Sequence, residues 1–553
     1  MKPFLHTSRL ALTPLSPIHI GCGEDFEPTN YVIVDGILYN FDPSRAGLNN
    51  AQRSQLVAAA NNTNLLDIQC FFHNNAHIFK NQSRVQIEVS QGVTEKYENS
   101  LRRPAQRYAF RKNIINQFII QRTAYTGRQD LPYIPGSSFK GMLRTAIVDK
   151  LNGGHPIQQN ELRGCNNIPD SAAVEKRLLK GDFQNSPLRL LKVADLMPLS
   201  EPVRRIVFAV NRKKKFVLNN DGDIRPNCIE VLLHGQYRAF GSEAVITSLD
   251  CHNDPKTTPS LDLQPQTWHD IAKQANDYHK TQLEGEIQTL DGLGLLNPTW
   301  KRDIERLMCE IKQELQNGRV MLVRLGRYGG ATSKTLSGNG VAKIKINQGP
   351  GQPPTIESNT KTVWLEAEHD TEQKHLLPLG WAVVEIDPEG DCKPLREWCE
   401  RQPKVRPDMQ KIRAGIVVEQ AAAERQKIED QARAAARKAV EQAEREAAEL
   451  RAQALAAMTP QGQQIETLRQ RCEELATRIR VNNYRKESPA PGQAGIYQKA
   501  TDLVKLALEN DDWSAAERSA LADMLEQWLP QVISPWGKEQ HKKIKLSTLR
   551  GIA

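Results

Sequence analysis

A chain of 553 residues has room for about three domains, and its 39% apolar and 25% charged residues are values of a water-soluble globular protein. No stretch approaches the ~18 unbroken apolar residues of a membrane span, and the start, MKPFLHTSRLALTPLSPIHI, is broken by Pro14 and Pro17 where a signal peptide needs an apolar centre, so a cytoplasmic protein is expected. Nine Cys without a C-x-x-C pair argue against a disulfide framework or zinc ribbon, and the net charge of +9 points to a polyanionic partner.

In chain order, short apolar or alternating runs predict strands at Leu10 to Leu15, Tyr31 to Val34, Ile37 to Phe41 and Val85 to Val89. Further strands are expected at Ile229 to Leu233, Arg319 to Leu325 and Trp381 to Ile386. Helices are expected at Pro43 to Ala60, from about Ser138, at Trp268 to Glu284 and at Pro298 to Asn317, where Ile304, Leu307, Ile311 and Leu315 repeat at helical spacing. The class is α+β, with long insertions, over residues 1–390. A proline-marked linker follows at 391–415, and residues 416–458, rich in Ala, Glu, Arg and Gln, predict one long exposed helix helped by pairs such as Glu441 with Arg445. Residues 460–553 read as a small helical bundle: Ile465, Leu468, Cys472, Leu475 and Ile479 make a short coiled-coil-like seam, Ser514 and Glu517 form a capping box, and Lys538, Lys542, Lys543, Lys545 and Arg550 form a basic tail.

Basic residues concentrate in two places. From Leu101 to Arg144 there are nine (Arg102, Arg103, Arg107, Arg111, Lys112, Arg122, Arg128, Lys140 and Arg144) against the single acid Asp130. Within this stretch, Tyr133-Ile-Pro-Gly-Ser-Ser-Phe-Lys-Gly runs from an extended entry into a helix start, whose free N–H groups suit an anion. Ser137 and Ser138 are placed to cap the helix or bond phosphate, and Lys140 and Arg144 share a helix face; the plainer alternative is a capped helix with solvated charges. The second concentration, Arg319 to Lys345, has six basic residues and no acid. It contains Arg324-Leu-Gly-Arg-Tyr-Gly-Gly-Ala-Thr-Ser-Lys, a strand entering a glycine-rich loop where Arg324, Arg327, Ser333 and Lys334 could hold phosphate and Tyr328 stack on a base. A flexible hairpin tip is the alternative; a Walker A loop is excluded because Ser333 stands where Gly is needed. Near the start, His19 precedes Gly21-x-Gly23, with Glu24, Asp25 and Glu27 after it: a structural His and solvated acids, or an acid/base and a metal-holding group. Arg212 to Lys215 adds a basic run expected on a loop. No hydrolase, zincin or deaminase motif is present.

Taken together, Leu12-Thr-Pro-Leu-Ser-Pro-Ile-His-Ile-Gly-x-Gly-Glu, Tyr133-Ile-Pro-Gly-Ser-Ser-x-Lys-Gly-x-Leu-Arg, Arg324-Leu-Gly-Arg-x-Gly-Gly and Leu379-Gly-Trp-Ala-Val-Val-Glu385 resemble the RAMP superfamily of CRISPR-associated proteins over about residues 8–387. Through Glu27-Pro-Thr-Asn-Tyr-Val-Ile-Val-Asp-Gly-x-Leu-Tyr-x-Phe-Asp42 the chain looks most like the type III-A effector subunit that caps the backbone filament at the crRNA 3′ end. The resemblance implies a ferredoxin-like, RRM-type core with crRNA as ligand, and RNA contacts from His19, Gly21 and the Ser, Lys, Arg and Tyr residues named above. It implies backbone RAMP subunits, a small helical subunit and target RNA as partners, with a recruited host nuclease as a further one. Subunits of that kind are taken as non-catalytic, with no cofactor and a role in antiviral defence and crRNA maturation. The rival is a RAMP endoribonuclease using His19, or Asp25 with Mg²⁺. The resemblance does not account for the helical extension, which is expected to dock on another subunit.

Overall fold

The computed structural model describes residues 4–45, 47–61, 65–102, 106–107, 113–114, 118–127, 130–163, 168–181, 185–215, 226–248, 267–338, 341–346, 352–402, 406, 408–489 and 495–551. It forms two compact units, Met1–Ala422 and Ala423–Ala553.

The first unit is built on a split β-α-β-β-α-β core: β1 (Leu5–Pro14), α1 (Gly136–Asn152), β2 (Leu191–Val193), β3 (Phe240–Thr247), α2 (Trp268–Gly292), then β4 (Val320–Arg324) and β5 (Trp381–Ile386). The strand order is β2-β3-β1-β5-β4, antiparallel throughout, so β5 closes a ferredoxin-like sheet and β4 is an added edge strand. Period-two alternation loads both faces of this sheet. Met321, Val323, Ala382 and Val384 face α1 and α2, while Val320, Leu322, Trp381 and Val383 join the core on the opposite side.

That opposite core is shared with a second sheet in the order Gly21–Phe26, Ile120–Thr123, Asn227–Leu232, Arg204–Lys213, Val85–Val89, Ile37–Asn40, Tyr31–Val34. Thr362–Ala367 pairs the far half of Arg204–Lys213. The Arg204–Lys213 strand carries the Arg212 end of the expected loop-borne basic run. Arg212 is buried and donates to the carbonyls of Asp370 and Glu372, so this run is a strand end and not a free patch.

Several helices differ from expectation for reasons visible in their side chains. Pro298 to Asn317 is two helices, Pro298–Glu310 and Lys312–Asn317, broken at the buried Ile311. The expected linker contains the helix Lys393–Arg401, whose Leu395 and Trp398 are fully buried. The long helix starts earlier than 416, at Met409, and runs to Ala456, because Met409, Ile412 and Ile416 pack at helical spacing against Phe71, Phe72 and Phe79. Its remainder is exposed. The Glu441–Arg445 pair does not form; Gln442 instead donates to Glu446 four residues on.

In the second unit, Pro460–Asn482, Ile496–Glu509 and Ala515–Val532 enclose a core of Leu468, Cys472, Ala500, Leu521, Leu525 and Leu529. The Ser514/Glu517 box is formed: Ser514 Oγ accepts from the Glu517 amide at 3.2 Å and Glu517 Oε2 accepts from the Ser514 amide at 2.9 Å. Lys538–Ile544 and Leu546–Leu549 close the bundle with Ile544, Leu546 and Leu549 buried. No helix among the described residues is long and apolar enough to cross a membrane.

Candidate nucleic-acid groove

The motif segments meet because glycines let their backbones touch. At α1, a Cβ on Gly136 would lie 2.4 Å from the Val193 carbonyl oxygen and 2.8 Å from that of Ala194, so only glycine lets the helix start against the β2 exit. Gly326 has φ +91°, and a Cβ there would lie 2.2 Å from the His19 carbonyl oxygen. That oxygen accepts from the Arg327 amide at 3.0 Å, while the Gly380 amide donates to Pro17 O at 2.8 Å and the Leu325 amide to Gly380 O at 2.8 Å. The 17–21, 324–334 and 379–381 segments are thereby one stitched unit.

Between this unit and the exposed side of α1 lies a groove of about 810 Å³. Gly21, Gly23, Ser138 and Arg144 contribute to one part of its wall, and Arg327, Ser333, Lys334 and Lys343 to another. Its floor is apolar, from Met142, Val148, Val174, Leu325 and Val341. Arg327 and Lys334 are exposed, and neither they nor Lys343 is in an ion pair among the described residues.

Other expected contacts are engaged elsewhere. Lys140 turns from the groove and donates from Nζ to Leu191 O at 2.8 Å, and burial lowers its pKa, so it does not share a ligand with Arg144. Arg144 lines the groove but is ion-paired with Glu175. Ser137 is exposed and Ser138 is half-buried; neither caps α1, since the Gly136 amide is taken by Asp195 Oδ1 at 2.8 Å. Arg324 is buried, its Nη2 2.8 Å from Glu286 Oε1 and its guanidinium 4.9 Å from the Trp381 ring centroid. It lines the groove as well, but its charge is taken up by Glu286 within the fold. Tyr328 is likewise buried at 5% exposure: its hydroxyl donates to Gln121 Oε1 at 2.6 Å and accepts from Asn227 Nδ2 at 3.2 Å, and its ring packs against Trp364 and His19. Base stacking on it is therefore closed off. Ser333 Oγ donates to Gly330 O at 2.9 Å and steadies the loop from within.

His19 is 1% exposed. Its Nδ1 donates to Glu230 O at 2.8 Å, Nε2 has no partner among the described residues, and burial lowers its pKa, so it is a neutral structural group and not an exposed RNA contact. Asp25 is exposed on the strand Gly21–Phe26, and the neighbouring Glu24 is bonded to the Tyr125 hydroxyl. Arg102 is exposed at the end of the helix Gln91–Arg102. Arg107 lies in the strand Gln106–Arg107, while Arg103, Arg111 and Lys112 fall outside the described residues.

Sequence reasoning passed over the charge network behind the groove. Glu230 Oε1 accepts from Arg204 Nη1 at 3.0 Å and Oε2 from the Thr123 amide at 3.0 Å, while Asp130 bridges Arg122 and Arg84 at 3.0 and 2.9 Å. The signal was legible: Glu230 is the one acid in the apolar run Ile229 to Leu233, and a lone carboxylate there needs a buried partner.

Residues 11–235 match the RAMP superfamily. A curated relative, the CRISPR system Cms protein Csm5 of Methanocaldococcus jannaschii, is 24% identical over 335 residues, covering 58% of this chain and 71% of that one. Among solved structures, T. onnurineus Csm5 superposes with a TM-score of 0.37 at 14% identity, over 68% of this chain and 99% of that one. A chain of the Csm–crRNA–target RNA ternary complex of a type III-A CRISPR-Cas system superposes with a TM-score of 0.36 at 15% identity, over 69% and 100%.

Proposed function

From a chain whose residues 11–235 form a RAMP superfamily region and which is similar to Csm5, we propose a crRNA-binding subunit of a type III-A CRISPR effector that caps the backbone filament at the crRNA 3′ end. The observation that carries this reading is the groove, where three separate motif segments converge and present Arg327, Lys334 and Lys343 over an apolar floor. Cations without carboxylate partners hold phosphates, and the apolar floor takes ribose or base edges; sequence choice then belongs to pairing by the guide. The partners are crRNA, target RNA and the other effector subunits, with a recruited host nuclease as a further one, and the work is done in the cytoplasm. The reading is non-catalytic and calls for no cofactor.

The test is a pulldown of the tagged chain from cells carrying its CRISPR locus, with sequencing of bound RNA and a cleavage assay with and without Mg²⁺. Mature guides recovered with other RAMP subunits, reduced in Arg327→Ala/Lys334→Ala and accompanied by no cleavage that Asp25→Ala removes, are the expected result. RNA cleavage by the purified chain, lost in Asp25→Ala, overturns it.

A further inference from the structure

We propose that one end of the C-terminal bundle is a second binding surface for single-stranded RNA, separate from the groove. Two short segments meet there: the Glu487 amide donates to Val532 O at 2.9 Å, the Ser534 amide to Glu487 O at 2.9 Å, and Lys486 Nζ to Pro530 O at 2.8 Å. The end of the helix Pro460–Asn482 and the turn after it are thus held beside the segment that leads into the helix Lys538–Ile544.

Charge is partitioned sharply across this unit. The first segment brings Arg478, Arg480, Arg485 and Lys486, and the second Lys538, Lys542, Lys543 and Lys545, with Glu487 and Glu539 the two acids among them. The rest of residues 460–553 has six basic residues against ten acids. None of the eight cations is in an ion pair among the described residues, whereas Arg469 and Arg550, outside the patch, are each paired with two carboxylates. Positive charge at the C-terminal end of the helix Pro460–Asn482 also complements its dipole, which accounts for the arginines but not for the four lysines of the last segment.

Aromatic groups are interleaved with the cations. Tyr484 is 60% exposed, and Trp536 lies against His541 with ring centroids 5.2 Å apart and its Nε1 donating to His541 Nε2 at 3.1 Å. Trp536 is half-buried against the bundle core, whereas the exposed Tyr484 beside cations without ion-pair partners is what an unpaired strand uses: phosphates on the cations, a base on the ring. An acidic protein or a lipid surface would use the charge and leave the tyrosine without a role. The choice of RNA over other single strands rests on the function proposed above.

The experiment uses the full chain and a fluorescent single-stranded RNA, with photo-crosslinked peptides identified by mass spectrometry. Crosslinks at Tyr484 or Trp536 are expected in addition to those in the groove. Lys538→Gln/Lys542→Gln/Lys543→Gln/Lys545→Gln, with an unchanged circular dichroism spectrum, should bind roughly ten-fold more weakly at moderate salt, with the slope of log affinity against log salt shallower by ~2 to 3. Crosslinks confined to the groove, with an unchanged slope in the quadruple variant, overturn this surface and leave the groove reading standing. Crosslinks confined to the bundle end do the reverse, and none at all overturn both. Binding of phosphatidylserine vesicles without RNA binding also overturns the proposal.

Discussion

The His19 carbonyl oxygen accepts a hydrogen bond from the Arg327 amide at 3.0 Å, joining two residues more than 300 positions apart and fixing where the exposed Arg327 guanidinium begins. Its geometry depends on Gly326, whose φ of +91° brings the loop under that oxygen. Gly326→Ala should therefore separate the two segments, costing about 1 to 3 kcal/mol in strain and weakening RNA binding more than Arg327→Ala alone. Chemical denaturation and equilibrium RNA binding on the two variants check this.

The two loop arginines should part company on mutation. Arg324 is buried against Glu286, so Arg324→Ala leaves a carboxylate without its cation and should cost about 3 to 5 kcal/mol. Arg327→Ala should leave the melting temperature within a degree or two while reducing affinity for RNA. Equal thermal shifts for both would contradict the division of labour drawn here.

Tyr328→Phe removes a hydroxyl that joins Gln121 and Asn227 and should destabilise by about 1 to 2 kcal/mol. RNA crosslinking at position 328 should be absent in the parent chain, because the ring is enclosed by Trp364 and His19.

Acid should weaken the first unit through His279. It is 1% exposed with neither ring nitrogen partnered among the described residues, and burial, helped by the Arg324 charge, pushes its pKa down to about 3. The unfolded chain takes up a proton below pH ~6.5 that the folded chain refuses until about 3, so the stability present above 6.5 is lost as pH falls, at ~1.4 kcal/mol per unit. His279→Phe should flatten this slope and leave neutral-pH stability the same or higher, since no hydrogen bond is lost. Denaturant midpoints between pH 5 and 8 are the measurement.

Much of the core was legible in the sequence where burial is one-sided or regular. Tyr31–Val34, Val85–Val89 and Trp381–Ile386 appear at the residues their apolar runs mark, and the Ser514 box starts its helix. The strand Arg204–Lys213 was not recognised, because its basic ends mask an apolar centre whose partners come from three distant segments. At the groove, the motif residues Gly21, Ser138, Arg144, Arg324, Arg327, Ser333 and Lys334 are brought together along one lining. What spacing cannot tell is which cation is already spent: Arg324 and Arg327 lie three residues apart in one motif, and only the fold shows that Glu286 comes up beneath the first. Lys140 was misjudged for the same reason, its partner being a main-chain oxygen 51 residues away.

The carboxylate of Asp195 on the Gly136 amide gives the first turn of α1 a resident anion. A phosphate arriving there competes with a group tethered to the same chain, whose effective concentration lies in the millimolar range or above and does not fall on dilution. Weak, abundant anions such as free phosphate or nucleotides are thereby kept off a helix end that would otherwise attract them. Asn in place of Asp195 would still offer an oxygen to that amide, so Asp195→Ala is the change that would take the resident acceptor away and with it this discrimination between a long strand and a small anion.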